Sequence, residues 1–341
     1  NGARTGDKVV VKISKYPDKH NSAEGKIGEI ISRSGEVGGD IKALIRQYNL
    51  KKEFPVKVEA EAKKIPLKIT QAEIERRSDL RDKTIITMDG ADAKDLDDAV
   101  SVEKLQNGNY LLGVHIADVS HYVLEGSQLD KEALQRGNSV YLIDQVIPML
   151  PKILSNGICS LNPDSDRLTL SVSMEIDGRG KVVNHKIYES IIHSKARMVY
   201  GDVSDMLEYN NKELIEKYQD IYDDILLMNE LAMILRKARD DRGSLDFDID
   251  EAYITLNEQG IPISVETAER RVANRIIEEF MLIANETVAE HFYWMEIPFV
   301  FRVHESPALE KIEIFKNFIR SFNLNLKGNP ENIHPKALNE I

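Results

Sequence analysis

Five carboxylates fall within ten residues in Asp89-Gly90-Ala91-Asp92-Ala93-Lys94-Asp95-Leu96-Asp97-Asp98, directly after one apolar stretch and directly before another. Oxygen donors at this density suit a hard divalent cation. Mg²⁺ comes first, because it is held by a few carboxylates, keeps several waters and so leaves positions open for chemistry; Mn²⁺ shares the preference for oxygen. Without a cation the arrangement is unfavourable. Two carboxylates about 4 Å apart repel by roughly 1 kcal/mol in water and about 4 kcal/mol at an effective dielectric of 20. Asp95 and Asp97 share a face if the chain is extended there, whereas Asp98 turns away, so a kinked loop must gather them. Gly90 supplies a flexible point. A solvated acidic loop with no ligand is the plain alternative. An EF-hand is excluded by spacing: counting from Asp95, Ala99 and Val100 stand where that loop needs an oxygen ligand and a glycine.

The elements that would position this loop are legible on either side of it. Thr84 to Met88 reads as a strand entering the loop. Ala99 to Leu105 leaves it, and Asn107-Gly108 is a hairpin turn whose partner strand is Tyr110 to Ile116. Further strands are expected over Ser139 to Ile143, Arg167 to Ile176 and Lys181 to Ile192. Helices are expected over Leu129 to Arg136, Asn211 to Arg239, Ala273 to His291 and Ala308 to Phe322. Ahead of these, residues 6 to 65 alternate short β-rich runs (Lys8 to Ile13, Lys26 to Ile31, Phe54 to Val58) with glycine-containing turns. One helix over Asp40 to Tyr48 interrupts them, a pattern that OB-like barrels allow. Lys57 to Lys68 reads as a linker running into a helix start at Thr70-Gln71. The expected fold class is α+β, with a small OB-like barrel over residues 1–65 and an α+β body over 66–341.

Composition is that of a globular protein, 42% hydrophobic and 30% charged. The chain shows neither an apolar run long enough for a membrane span nor a secretory signal, and a cytoplasmic location is expected. Cys159 is the single cysteine, which excludes a disulfide framework and a CxxC metal site. The net charge of −12 argues against indiscriminate phosphate-backbone binding, but residues 1–80 hold 17 basic and 12 acidic side chains, so a mildly basic front precedes an acidic body. The first residue is not Met and a strand follows almost at once, so the chain is expected to begin inside a larger protein.

The acidic loop, together with Gly113-Val114-His115-Ile116-Ala117-Asp118-Val119, resembles the catalytic core of the RNB (ribonuclease II and ribonuclease R) family, with the Gram-positive ribonuclease R branch most similar. The likeness continues through Tyr141, Ile147-Pro148-Met149-Leu150-Pro151, Cys159-Ser160-Leu161-Asn162-Pro163, Ser194-Lys195-Ala196-Arg197-Met198-Val199-Tyr200 and Ala273-Asn274-Arg275-Ile276-Ile277-Glu278-Glu279. The resemblance implies a processive 3′ to 5′ exoribonuclease that hydrolyses single-stranded RNA to nucleoside 5′-monophosphates with Mg²⁺. It also implies that Asp89, Asp95, Asp97 and Asp98 are the metal-site and catalytic residues, with Asp92 outside the set. RNA-binding roles fall on Tyr141 and Phe247, which clamp the terminal bases, on Tyr200, which lines the channel, and on Glu278, which contacts the 3′-terminal nucleotide. The barrel resembles a cold-shock domain. In the family the core continues into an arginine-bearing segment and an S1 domain that this chain does not contain, so the competing reading is an RNA-binding but inactive fragment. Neither a membrane nor an obligate protein partner is implied.

Each of these residues has a bland reading too. Tyr141 and Phe247 taken alone would be core residues. Glu278 and Glu279 would be solvated positions on a helix whose stripe is Val272, Ile276, Phe280 and Ile283. His115, in an apolar strand, reads as a hydrogen-bonded core residue and stays outside the site. Arg270, Arg271 and Arg275 are equally a solvated run or phosphate contacts.

Overall fold

The computed structural model describes residues 2–246, 251–303, 305–329 and 333–341. In chain order the elements are β1 (Lys8–Lys15), β2 (Glu24–Ser32), α1 (Gly39–Gln47), α2 (Val56–Ala62), α3 (Gln71–Arg76), β3 (Ser78–Asp79), β4 (Ile86–Asp89), β5 (Asp98–Lys104) and β6 (Tyr110–Ala117). Next come α4 (Val119–Tyr122), α5 (Gln128–Arg136), β7 (Val140–Tyr141), β8 (Val146–Ile147), a wide helical turn at Ile153–Ile158, β9 (Asp166–Ile176), β10 (Val182–His193) and β11 (Ala196–Val199). The chain closes with α6 (Tyr200–Tyr209), α7 (Lys212–Lys217), α8 (Gln219–Asp241), β12 (Ala252–Leu256), β13 (Pro262–Thr267), α9 (Val272–Trp294), α10 (Leu309–Arg320) and α11 (Pro335–Asn339). Two compact units result, one from Asn1–Ile65, Ser120–Ser155 and Asp250–Glu269, the other from Pro66–Val119, Asn156–Ile249 and Arg270–Ile341.

In the first unit β1 and β2 pair as an antiparallel ribbon, with α1, the helix expected over Asp40 to Tyr48, packed on β2. The strand expected at Phe54 to Val58 is instead the start of α2. Pro55 fixes the entry, and its carbonyl accepts from the N–H groups of Val58 and Glu59 at 2.9 and 3.1 Å. Val58 and Ala62, four residues apart, then bury one helical face. Strand propensity of valine yields here to burial. Arg136 ties this unit together: it pairs with Glu132 at 2.9 Å, donates to the carbonyls of Lys51, Glu53 and Pro148, and lies 3.7 Å over the Phe54 ring.

The second unit is built on a seven-stranded mixed sheet of order β11-β4-β5-β6-β9-β10-β3, parallel at β11/β4 and β10/β3 and antiparallel elsewhere. The Asn107-Gly108 hairpin forms as expected, with Gly108 at φ 85°. One sheet face is apolar. Ladder pairs Val100↔Val114, Val102↔Leu112, Val114↔Val172 and Leu112↔Met174 stack against α8 and α9. On α9 the buried stripe is Ala273, Ile276, Ile277, Phe280 and Ala284; Val272 and Ile283, expected in it, lie at its half-buried edge. The helix expected over Asn211 to Arg239 is two, α7 and α8, broken at Tyr218, where no glycine or proline marks the change. No described helix is long and apolar enough to cross a membrane.

The opposite face carries a buried polar row. His115 bonds Ser101 Oγ at 3.1 Å and Ser171 Oγ at 2.7 Å, and Ser171 continues to Ser190 at 2.6 Å, which reaches Thr169 at 2.7 Å. Gly113 makes room for it, since a Cβ there would meet Ser101 Oγ at 2.5 Å and His115 Nε2 at 2.8 Å. Burial pulls the His115 imidazole down to about 4, so it stays neutral in the fold. The unfolded chain takes up that proton at higher pH, so the contribution of neutral His115 is complete above about pH 6.5 and is lost as pH falls towards 4. We expect the unfolding free energy of the wild type to drop relative to His115→Gln by up to about 3 kcal/mol between pH 7 and pH 4. Urea unfolding across that range measures it; a difference independent of pH would contradict the burial argument.

Candidate functional site

The acidic loop spans the ends of three adjacent strands. β4 runs into Asp89, β5 starts at Asp98, and β11, parallel to β4 with Val199 opposite Asp89, delivers Tyr200 as the first residue of α6. The sheet therefore brings Asp89, Asp98 and Tyr200 to one edge, with Asp95 and Asp97 on the connecting loop. Their electrostatics couple them. Burial pushes the Asp98 carboxyl up to about 6, reinforced by Asp89 and then Asp97. Asp97 is likewise raised by desolvation, then by Asp95 and Asp89. Burial, with Asp89 and Asp98 behind it, pushes the Tyr200 phenol up to about 12 and keeps it a neutral donor. Asp92 is exposed and raises neither Asp97 nor Asp98.

The backbone of the loop is pinned from two sides. Arg197 Nη2 donates to the carbonyls of Ala91 and Ala93, both at 2.7 Å, and of Gly90 at 3.4 Å. Ser160 Oγ donates to Lys94 O at 2.9 Å and accepts from Leu96 N–H at 3.1 Å, while Leu161 N–H donates to Leu96 O at 2.8 Å. Ala117 N–H holds Asp97 O at 2.9 Å. Cys159, next to Ser160, is no nucleophile: burial and then Asp97 push its thiol up to about 12, against the opposing pull of Arg167.

The donor set is chemically that of a hard divalent cation: only carboxylate oxygens, of which Asp97 and Asp98 are raised by burial and by neighbouring aspartates. Among the described residues no three His, Cys, Asp or Glu side chains converge as a ready-made coordination set.

The other expected residues are distributed as follows. Tyr141 lies on β7 opposite Val146 and is 65% exposed, so it is not a core residue. Glu278 is held by Arg270 through contacts of 2.6 and 2.8 Å, and Arg270 also reaches Asp246 at 2.7 Å. Its neighbour Glu279 is buried against Arg239 at 2.7 Å. Arg271 pairs with Asp205 and Glu208, so both Arg270 and Arg271 are engaged in ion pairs. Phe247 lies outside the described residues. Sequence reasoning quoted Arg197 and Ser160 but gave them no role. Both work through backbone carbonyls, which leave no trace in residue spacing.

The RNB domain model matches residues 77–340 and the cold shock domain model matches residues 1–55. The chain belongs to the RNB family, and its fold is α+β, an OB-like cold-shock region followed by an RNB domain. Ribonuclease R of Thermotoga maritima is 48% identical over 343 residues, covering 100% of this chain and 48% of that protein. Ribonuclease R 1 of Lactococcus lactis is 46% identical over 332 residues, covering 97% of this chain and 40% of that protein. The structure of Mycoplasma genitalium RNase R in complex with ribose methylated single-stranded RNA superposes with a TM-score of 0.89 at 28% identity, covering 100% of this chain and 53% of that one. The chain thus spans about half the length of the relatives it matches.

Because the folded chain holds the Asp98 proton more firmly than the unfolded chain does, stability falls as pH rises from about 4 through 6 and the full penalty stands above that. Asp98→Asn removes it. In EDTA at pH 7 to 8 the variant is expected to be more stable than wild type by up to about 3 kcal/mol, with the gain vanishing near pH 4. Denaturant midpoints at both pH values check this, and a variant less stable at pH 8 would contradict it.

Proposed function

We propose that this chain carries the metal-binding part of a processive 3′ to 5′ exoribonuclease that hydrolyses single-stranded RNA to nucleoside 5′-monophosphates in the cytoplasm. The observation that carries this reading is that Asp89 and Asp98 close and open the adjacent strands β4 and β5 around the loop bearing Asp95 and Asp97, with Asp97 and Asp98 raised by burial and by neighbouring aspartates. The names of the relatives and the RNA in the Mycoplasma genitalium complex support it. We take the functional modules to divide as residues 1–65, the RNA-gripping cold-shock-like region, and 66–341, the catalytic body.

In this reading the four aspartates are the catalytic residues and would hold Mg²⁺, with Mn²⁺ as substitute. The bound ion supplies an activated water and stabilisation of the leaving 3′-oxygen. Tyr200, neutral with its phenol beside Asp89 and Asp98, donates a hydrogen bond to the phosphate and adds no further negative charge. Tyr141 offers an exposed ring for base stacking, worth roughly 1 to 3 kcal/mol per base and indifferent to sequence. Glu278, oriented by Arg270, contacts the 3′-terminal nucleotide; for Phe247, outside the described residues, the base-stacking role rests on the family resemblance alone.

Two experiments on the full chain test this. Asp97→Asn is expected to keep RNA affinity within about twofold and to lower turnover by at least about a hundredfold, since the carboxylate acts on charge developing at the phosphate. Equal turnover would remove the assignment. RNA binding without any metal-dependent release of mononucleotides by the wild type would favour the inactive, RNA-binding alternative. Tyr141→Ala is expected to change the length of the shortest product left on a 5′-labelled RNA. An unchanged product ladder would return Tyr141 to a packing role.

A further inference from the structure

We infer that Arg197 is a positioning residue for the aspartate loop: by gathering the carbonyls of Gly90, Ala91 and Ala93 it sets the curvature that lets Asp89 face Asp95, Asp97 and Asp98 around a divalent cation. The inference rests on reading those aspartates as the metal site. Three features carry it. First, Arg197 Nη2 donates to loop carbonyls at 2.7, 2.7 and 3.4 Å, so the positive charge beside an acidic loop grips its backbone. Second, it acts on the first half of the loop, while Ser160 fixes the second half through Lys94 and Leu96, so the hinge between Asp89 and Asp95 is held by Arg197.

Third, the placement is poor for stability alone. Arg197 Nε is buried with no hydrogen-bond partner, as is the hydroxyl of Thr87, its register neighbour on β4. Burying a polar N–H without a partner costs stability, so packing alone does not account for this half-buried arginine. A planar fork that collects several carbonyls is what arginine offers and lysine does not. Groups behind metal-binding side chains commonly change metal affinity about 10- to 100-fold when removed.

The test measures Mn²⁺ affinity by EPR on the full chain without RNA, alongside RNA affinity in EDTA and the Mg²⁺ dependence of RNA hydrolysis. Arg197→Ala is expected to weaken Mn²⁺ about tenfold, to leave RNA affinity within about twofold, and to regain kcat as Mg²⁺ is raised, with KM for RNA little changed. A merely structural role would not shift the half-saturating Mg²⁺. Asp98→Asn runs in parallel. If it loses Mn²⁺ while Arg197→Ala binds as the wild type does, the positioning role is overturned and the metal site stands. If Asp98→Asn binds Mn²⁺ undiminished, the metal site itself falls and the positioning role with it. Should Arg197→Ala fail to fold by circular dichroism, Arg197→Lys carries the same test, with a several-fold weaker Mn²⁺ affinity expected and wild-type affinity overturning the inference.

Discussion

Like charges held close together are the constraint around which this protein is arranged. Burial raises the proton affinity of Asp98, with Asp89 and Asp97 adding to it, and raises that of Asp97, with Asp95 and Asp89 adding to it. A flexible chain would relax by swinging them apart. The sheet resists: Asp89 closes β4, Asp98 opens β5, and Ala117 of β6 holds the carbonyl of Asp97. Arg197 and Ser160 then hold the loop between them by its backbone. Rigid secondary structure supplies the precision that repulsion would otherwise destroy.

The stability to support this comes from elsewhere in the same sheet. One face packs apolar ladder pairs against α8 and α9, and hydrophobic burial there is the main favourable contribution. The other face is polar and held through the His115 row and the buried pair of Arg77 with Asp118 at 2.5 Å. Removing one partner of such a buried pair commonly costs about 3 to 5 kcal/mol, so that face tolerates little change.

Much of this was legible from residue order. The acid spacing, the Asn107-Gly108 turn and the strands around it depend on local chemistry, and local chemistry is what a sequence displays. The α2 start was misread because Val56 and Val58 favour a strand when considered alone, while the burial of Val58 and Ala62 decides otherwise. The α7/α8 break at Tyr218 carries no glycine or proline to announce it. A compact unit assembled from Asn1–Ile65, Ser120–Ser155 and Asp250–Glu269 has no signature in any single stretch. Glu278 could be recognised by resemblance, but its ion pair with Arg270 is a tertiary fact. Arg197 was visible as a letter in a motif; its role lies in backbone carbonyls more than a hundred residues earlier.

The central claim concerns one equilibrium, proton against metal at the crowded carboxylates, and a carboxyl-detected NMR titration of Asp98 with and without Mg²⁺ reads it directly. Without divalent cation the Asp98 carboxyl should titrate near 6. Saturating Mg²⁺ should carry it below the ordinary aspartate value of about 3.9. A midpoint near that ordinary value, unmoved by Mg²⁺, would show that these side chains neither crowd one another nor share an ion.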